Sequence, residues 1–388
     1  MSKNENDVNN QSNSDTENNN DRRQFVKTVV TGASAITFAK LIPDASAQIA
    51  GSIPAITSLI LEELPLGVEL VYGPGDKIIN VPSAANYMRI DAHGAGGGGS
   101  SIIGMGNGAD GGSGGHVGLN YELEAINQLI LSPGEGGSGA ELSETASGGN
   151  NSGGDGGTAA ESTLGASGGG GGGYSSVHIV GTESIPLISA AGGGGAGGRS
   201  STGLGGSGGR GLPSTDVSRH GNDGTSTPAS MQVIGEGANF HVGGAGAPGN
   251  AEFAKAGNNS IGFNGGKGGN HTSGSNLLPV PGGAGGGGGG GFLSSEPGGG
   301  GGGGAGAGID EETSNGGGGG GGAGGANFLN DNNFDLPGEG NYYDESVTNT
   351  FTEDTQGGEG GVFESTTAGG DGGDGIITIT FYESDPSV

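Results

Sequence analysis

The side chains that could do chemistry are few, and for most reactions their spacing is wrong. Six histidines (His93, His116, His178, His220, His241 and His271) show neither H-E-x-x-H nor paired spacing, and a lone histidine beside glycine is more often a turn or strand residue than a metal ligand. The chain has no cysteine, which excludes disulfides, thiolate metal sites and a cysteine nucleophile. Asp331, Asn333 and Asp335 bring oxygens close enough together to suit calcium, but the run lacks the glycine and distal glutamate of an EF-hand loop. Asp371 and Asp374 sit in Gly369 to Ile377, which matches the calcium-binding nonapeptide G-G-x-G-x-D-x-U-x. Calcium in that motif is shared between successive copies, and here there is one; a glycine rod entering a final strand is the simpler reading.

Other motifs fail on context. Gly266-Lys267 is followed by Gly268 rather than the Ser or Thr of a P-loop. Gly205 to Gly209 spells G-x-S-x-G around Ser207, but without the strand and helix that strain a nucleophile elbow. Glu311-Glu312 and Asp344-Glu345 are adjacent carboxylates in loop-like sequence, where such pairs are usually solvated. The sequence therefore predicts a protein that is not an enzyme, with no catalytic residue and no cofactor. Calcium at the acidic positions named above is the metal alternative.

What would position any such group is mostly glycine. Of 388 residues 101 are glycine and 30% are hydrophobic, so a large conventional core is not expected. Runs such as Gly168–Gly173, Gly285–Gly291, Gly298–Gly304 and Gly316–Gly322 cannot pack through side chains, and each glycine costs more backbone entropy to order than any other residue. Polyproline-II-like rods lying side by side, as in collagen, are the physical candidate, each spanning roughly 20 Å at about 3.1 Å per residue. The net charge is −29, which disfavours nucleic acid and anionic lipid as partners.

Between the glycine runs lie short β-branched and alternating segments. Val177–Val180 and Ile185–Ile188, joined by Gly181 to Ser184, predict a hairpin. Lys77–Val81 and Tyr87–Ala92 predict a second hairpin around Pro82 to Ala85, and Val117–Leu123 predicts a half-buried strand paired with Ile126–Leu131. Residues 132–167 carry no strand signal. Phe328, Phe334, Tyr342, Tyr343 and Phe351 suit either a small core or a binding face, with the core favoured. Ile376–Tyr382 is a β-branched final strand.

The N-terminus reads as an address. A polar leader precedes Arg22-Arg23, Phe25 and Lys27, a short weakly apolar stretch, and Ala45-Ser46-Ala47, the layout of a twin-arginine export signal with an A-x-A cleavage site. Export to the periplasm, cell surface or medium is expected. No stretch approaches the 18 apolar residues of a membrane span.

Four pieces, VPSAANYMRIDAHGAGGGG, GGHVGLNYELEAINQLILSPGEGG, GGGGYSSVHIVGTESIPLISAAGGGG and GGDGGDGIITITF, occur in an order that resembles the glycine-rich domain of phage tail-tip adhesins and, in diverged form, of anaplastic lymphoma kinase-type receptor ectodomains. The resemblance covers roughly residues 76–381. It implies an all-β, β-sandwich-like scaffold with an inserted polyglycine-II bundle and long loops, and it supplies no catalytic residues. Residues 199–280 and 327–356 are longer and less glycine-pure than a minimal domain of this kind. The expected organisation is a signal peptide over 1–47, a linker or strand region over 48–75, the glycine-rich domain over 76–382 and a tail over 383–388. The expected role is a structural or adhesion protein of the bacterial envelope that binds a surface glycan or protein, or itself; an ice-binding bundle and an exported enzyme are the alternatives.

Overall fold

Apolar residues at every second position make strands that bury one face, as in Tyr87–His93 and His116–Glu122, and among the described residues nine strands form two antiparallel sheets in a computed structural model of the chain. The structure describes residues 64–101, 108–123, 126–142, 144–159, 165–181, 185–200, 203–212, 219–225, 234–245, 254–272, 283–292, 298–305, 319–330 and 368–384. One sheet has the order β1-β9-β3-β4, from Leu70–Tyr72, Ile376–Tyr382, Tyr87–His93 and His116–Glu122. The other has the order β2-β5-β6-β7-β8, from Lys77–Asn80, Gln128–Ser132, Ser175–Ile179, Ile188–Ala190 and Phe328–Leu329. Their inner faces meet in one core in which Met88, Ile90, Leu129, Leu131, Ile379 and Phe381 are fully buried.

β6 and β7 pair antiparallel, with Val177 opposite Ile188, so the expected pairing forms, but its second strand lies at Ile188–Ala190, later than the expected Ile185–Ile188; β9 takes its expected bounds. The other two expected pairings do not form. β2 pairs with β5, while β3 pairs with β4 and β9, so the chain crosses from one sheet to the other at Pro82–Asn86, where the Ala85 amide closes a turn on Pro82. It crosses again after β4, and β5 joins β2 and β6 rather than β4. Alternation reports that a strand buries one face, and says nothing of which strand lies beside it; facing sheets bury both sets of apolar residues against each other.

Strands pass directly into glycine rods. The 192–198 rod shows how these are held. Gly192, Gly195 and Gly198 donate to the carbonyls of Gly290, Gly287 and Ala284; Gly193 and Ala196 donate to Ala95 and Gly98; Gly194 and Gly197 donate to Gly209 and Gly206. In the other direction, Gly192, Gly195 and Gly198 accept from Gly325, Gly322 and Gly319, Gly193 and Ala196 from Gly172 and Gly169, and Ala191 and Gly194 from Gly115 and Gly112. All of these bonds are 2.7–3.0 Å. Each neighbour is met every third residue, the period of a polyproline-II-type helix, and six rods surround this one. The 283–291 and 319–326 rods are surrounded in the same way. Their peptide groups are fully buried, and buried peptide groups have to be hydrogen-bonded; here the bonds run between rods because this helix has none within it.

The stretch without strand signal joins this bundle: Gly154 and Gly157 donate to Gly288 and Gly285, and Gly137 and Ala140 donate to Gly96 and Gly99. The described parts of 199–280 join it too, through bonds such as Asn222 to Ser207, Asn258 to Lys267 and Gly266 to Gly300. The register gives the rods a common set of ends. One end adjoins the sandwich, and the chain reaches the other, distal end at Ser100, Ala159, Ser200, Thr225, Thr272 and Ala305.

Candidate functional site

At the distal half of the bundle four rods line an open groove of about 630 Å³. Its wall includes Asp110, Arg199, Leu204, Ser207, Asn222 and Asp223. The rods have fixed backbones, so these side chains project from set positions. The Asn222 Nδ2 donates to Ser207 Oγ at 2.6 Å, and Asp223 Oδ1 accepts from the Gly237 amide at 2.7 Å. Burial pushes the Arg199 guanidinium below its ordinary pKa. Ser207, the serine of the G-x-S-x-G run, sits within a rod, with no elbow around it. The groove sets carboxylates, an amide, a hydroxyl and a guanidinium beside an exposed leucine, a mix that suits a polyhydroxylated ligand better than an apolar one.

A second charged group lies on the outer face of the β1-β9-β3-β4 sheet. Asp91 Oδ2 accepts from Arg89 Nε at 2.7 Å and Oδ1 from Arg89 Nη2 at 3.2 Å, and His116 Nε2 lies 3.3 Å from the same Oδ1. His93 and His116 are opposite each other in the β3–β4 ladder and stack with ring centroids 4.4 Å apart. Gly118 faces Asp91 across the same ladder, where a Cβ would come 3.0 Å from Asp91 Oδ1, so glycine leaves room for the carboxylate. Burial pushes Asp91 up, but the hydrogen bonds from His116 and Arg89 and their charges outweigh it and hold the group at about 2. His93 is lowered to about 4 by burial and by the neighbouring His116 charge. Sequence spacing did not bring these histidines together because their partnership is made across a ladder, 23 positions apart.

His271 is buried where the 153–159 and 254–258 rods flank it, its Nε2 has no hydrogen-bond partner, and burial lowers it to about 4. Histidines lowered in this way are neutral in the folded chain while the unfolded chain takes up protons below its ordinary value of 6.5. Stability is therefore complete above pH 6.5 and is lost as pH falls toward 4, by on the order of 3 kcal/mol for one such group. Melting temperature measured from pH 7 to pH 4 should fall across this window. The fall should be shallower in His271→Gln.

The acidic positions singled out in the sequence have divided fates. Asp374 Oδ1 accepts from the Gly136 amide at 3.0 Å and Asp371 Oδ1 from the Gly139 amide at 2.8 Å, so both carboxylates are engaged with backbone. Asp331, Asn333 and Asp335 lie outside the described residues, as do Arg22, Arg23, Phe25, Lys27, Ala45 and Ala47. Among the described residues no cluster of three His, Asp or Glu side chains could hold a metal ion, and no helix is long and apolar enough to cross a membrane. Phe328 is nearly buried and meets Phe292, which stacks on the exposed Phe263; Phe334, Tyr342, Tyr343 and Phe351 lie outside the described residues. No protein-family model matches the chain, and no curated protein is significantly similar to it.

Proposed function

We propose that the chain is an exported, non-enzymatic adhesion or structural protein of the bacterial envelope, a stiff glycine scaffold that holds a polar distal end away from its β-sandwich. The observation that supports this reading is the convergence of rod ends: the rods that finish at Ser100, Ala159, Ser200, Thr225, Thr272 and Ala305 share the end opposite the sandwich, and the sequence segments between successive rods vary. A backbone-bonded bundle is well suited to presenting such segments because rigid elements position loops with little conformational cost. The twin-arginine-like N-terminus supports export, and that route carries proteins already folded, which suits an array of glycine rods whose assembly would be hazardous outside the cell. The mixed polar groove near Arg199 supports a glycan, or the polar surface of another protein, as the partner. The net charge of −29 argues against nucleic acid and anionic lipid. The likeness to phage-adhesin glycine-rich domains fits the same role.

Protease or antibody added to intact host cells, beside a periplasmic control protein, tests the reading. The expected result is that the mature chain is cut or labelled while the control is protected. A chain as protected as the control would contradict a surface role.

A further inference from the structure

We propose that the flank formed by the 133–140 and 368–375 rods is a self-association edge, held closed by Asp371 and Asp374. In this lattice an additional rod would settle into the groove between two outer rods and bond to both. The 368–375 rod is itself bonded on its inner side: Gly369, Gly372 and Gly375 donate to Ala140, Gly137 and Gly134, while Gly370 and Gly373 accept from Gly99 and Gly96. On its other side Gly370, Asp371 and Asp374 are exposed. The outward amides of Gly136 and Gly139, three residues apart, would bond the next rod. Instead they are taken by Asp374 Oδ1 and Asp371 Oδ1. The two aspartates are also three residues apart, so their spacing is that of the rod whose place they fill.

The same device recurs at other rods. Asp155 Oδ1 accepts from Gly148, Asp223 Oδ1 from Gly237, Asn259 Oδ1 from Gly243 and Asn270 Oδ1 from Thr158. In each case a carboxylate or amide on one rod caps an amide that no described backbone carbonyl reaches. An outer rod is thus equivalent to the edge strand of a sheet, whose unpaired backbone groups invite another chain unless they are covered. The occupant that fits the opened groove is a glycine rod with carbonyls at the same three-residue spacing, and the source of such a rod is a second copy of this chain. This inference rests on the bundle geometry alone and stands apart from the export reading.

Light scattering on the full chain in 0.15 M salt, where charge repulsion between copies is screened beyond about 8 Å, tests it over a range of concentrations. D371N/D374N keeps an acceptor at both positions and should have the wild-type mass. D371G/D374G frees both amides and should show a mass that rises with concentration toward that of a dimer or larger species. An unchanged mass for D371G/D374G at every concentration would overturn the proposal. So would equal association of D371N/D374N, which would assign the effect to lost charge. Should the double glycine variant lose cooperative unfolding, D374G, which opens one amide, decides by the same readout.

Discussion

Gly288→Ala should destabilise the protein by about 3 kcal/mol or more, since inserting atoms into a well-packed interior costs typically 1–3 kcal/mol and more where backbone has to move. Gly288 donates to Gly266 and accepts from Gly154, and an added Cβ would press on the carbonyl oxygen of Gly300 and lie 2.6 Å from its carbon. The neighbour is main chain, fixed by bonds of its own, so no side chain can rotate out of the way. A fall in melting temperature of roughly 10 °C is the corresponding thermal signature. Gly73→Ala is the control: nothing lies within 4 Å of its added Cβ, and stability should stay within about 0.5 kcal/mol of wild type. Equal effects at the two positions would mean that glycine content, and not rod packing, limits stability.

The two positions carry the same residue and differ in what the fold sets beside them. The strands were legible because Tyr87–His93 and His116–Glu122 carry alternation that burial follows in space, and because Ile376–Tyr382 is rich in β-branched residues. Their neighbours were not, because the sheet crossing at Pro82–Asn86 follows from two apolar faces seeking one core. The glycine runs announced rods, yet their full extent was hidden: Glu135, Ser138, Asp155, Asn222 and Lys267 interrupt the glycine while keeping the three-residue period of bonds. Such residues sit where a rod turns a side outward, and the spacing of Asp371 and Asp374 was the visible trace of that rule. It matched a calcium motif in letters, and in the structure both carboxylates bond glycine amides. The groove around Arg199 left no trace in sequence, for Asp110, Arg199, Ser207 and Asp223 come from separate rods. The pairing of Asp91 with His116 depends likewise on the β3–β4 register.

The fold depends on glycine rods that inter-rod hydrogen bonds hold as firmly as the core holds the sandwich. Amide hydrogen exchange on the native chain measures this most directly, because an amide in a cooperative unit exchanges only when that unit opens. The amides of Gly169, Gly195, Gly288 and Gly322, each bonded to a neighbouring rod, should exchange on the order of 10³-fold or more slowly than in an unfolded peptide, the protection expected of a domain of ordinary stability. They should be as slow as Ile90 and Ile379 in the sandwich. Rod amides that exchange at the unfolded rate while those strand amides remain protected would contradict the account.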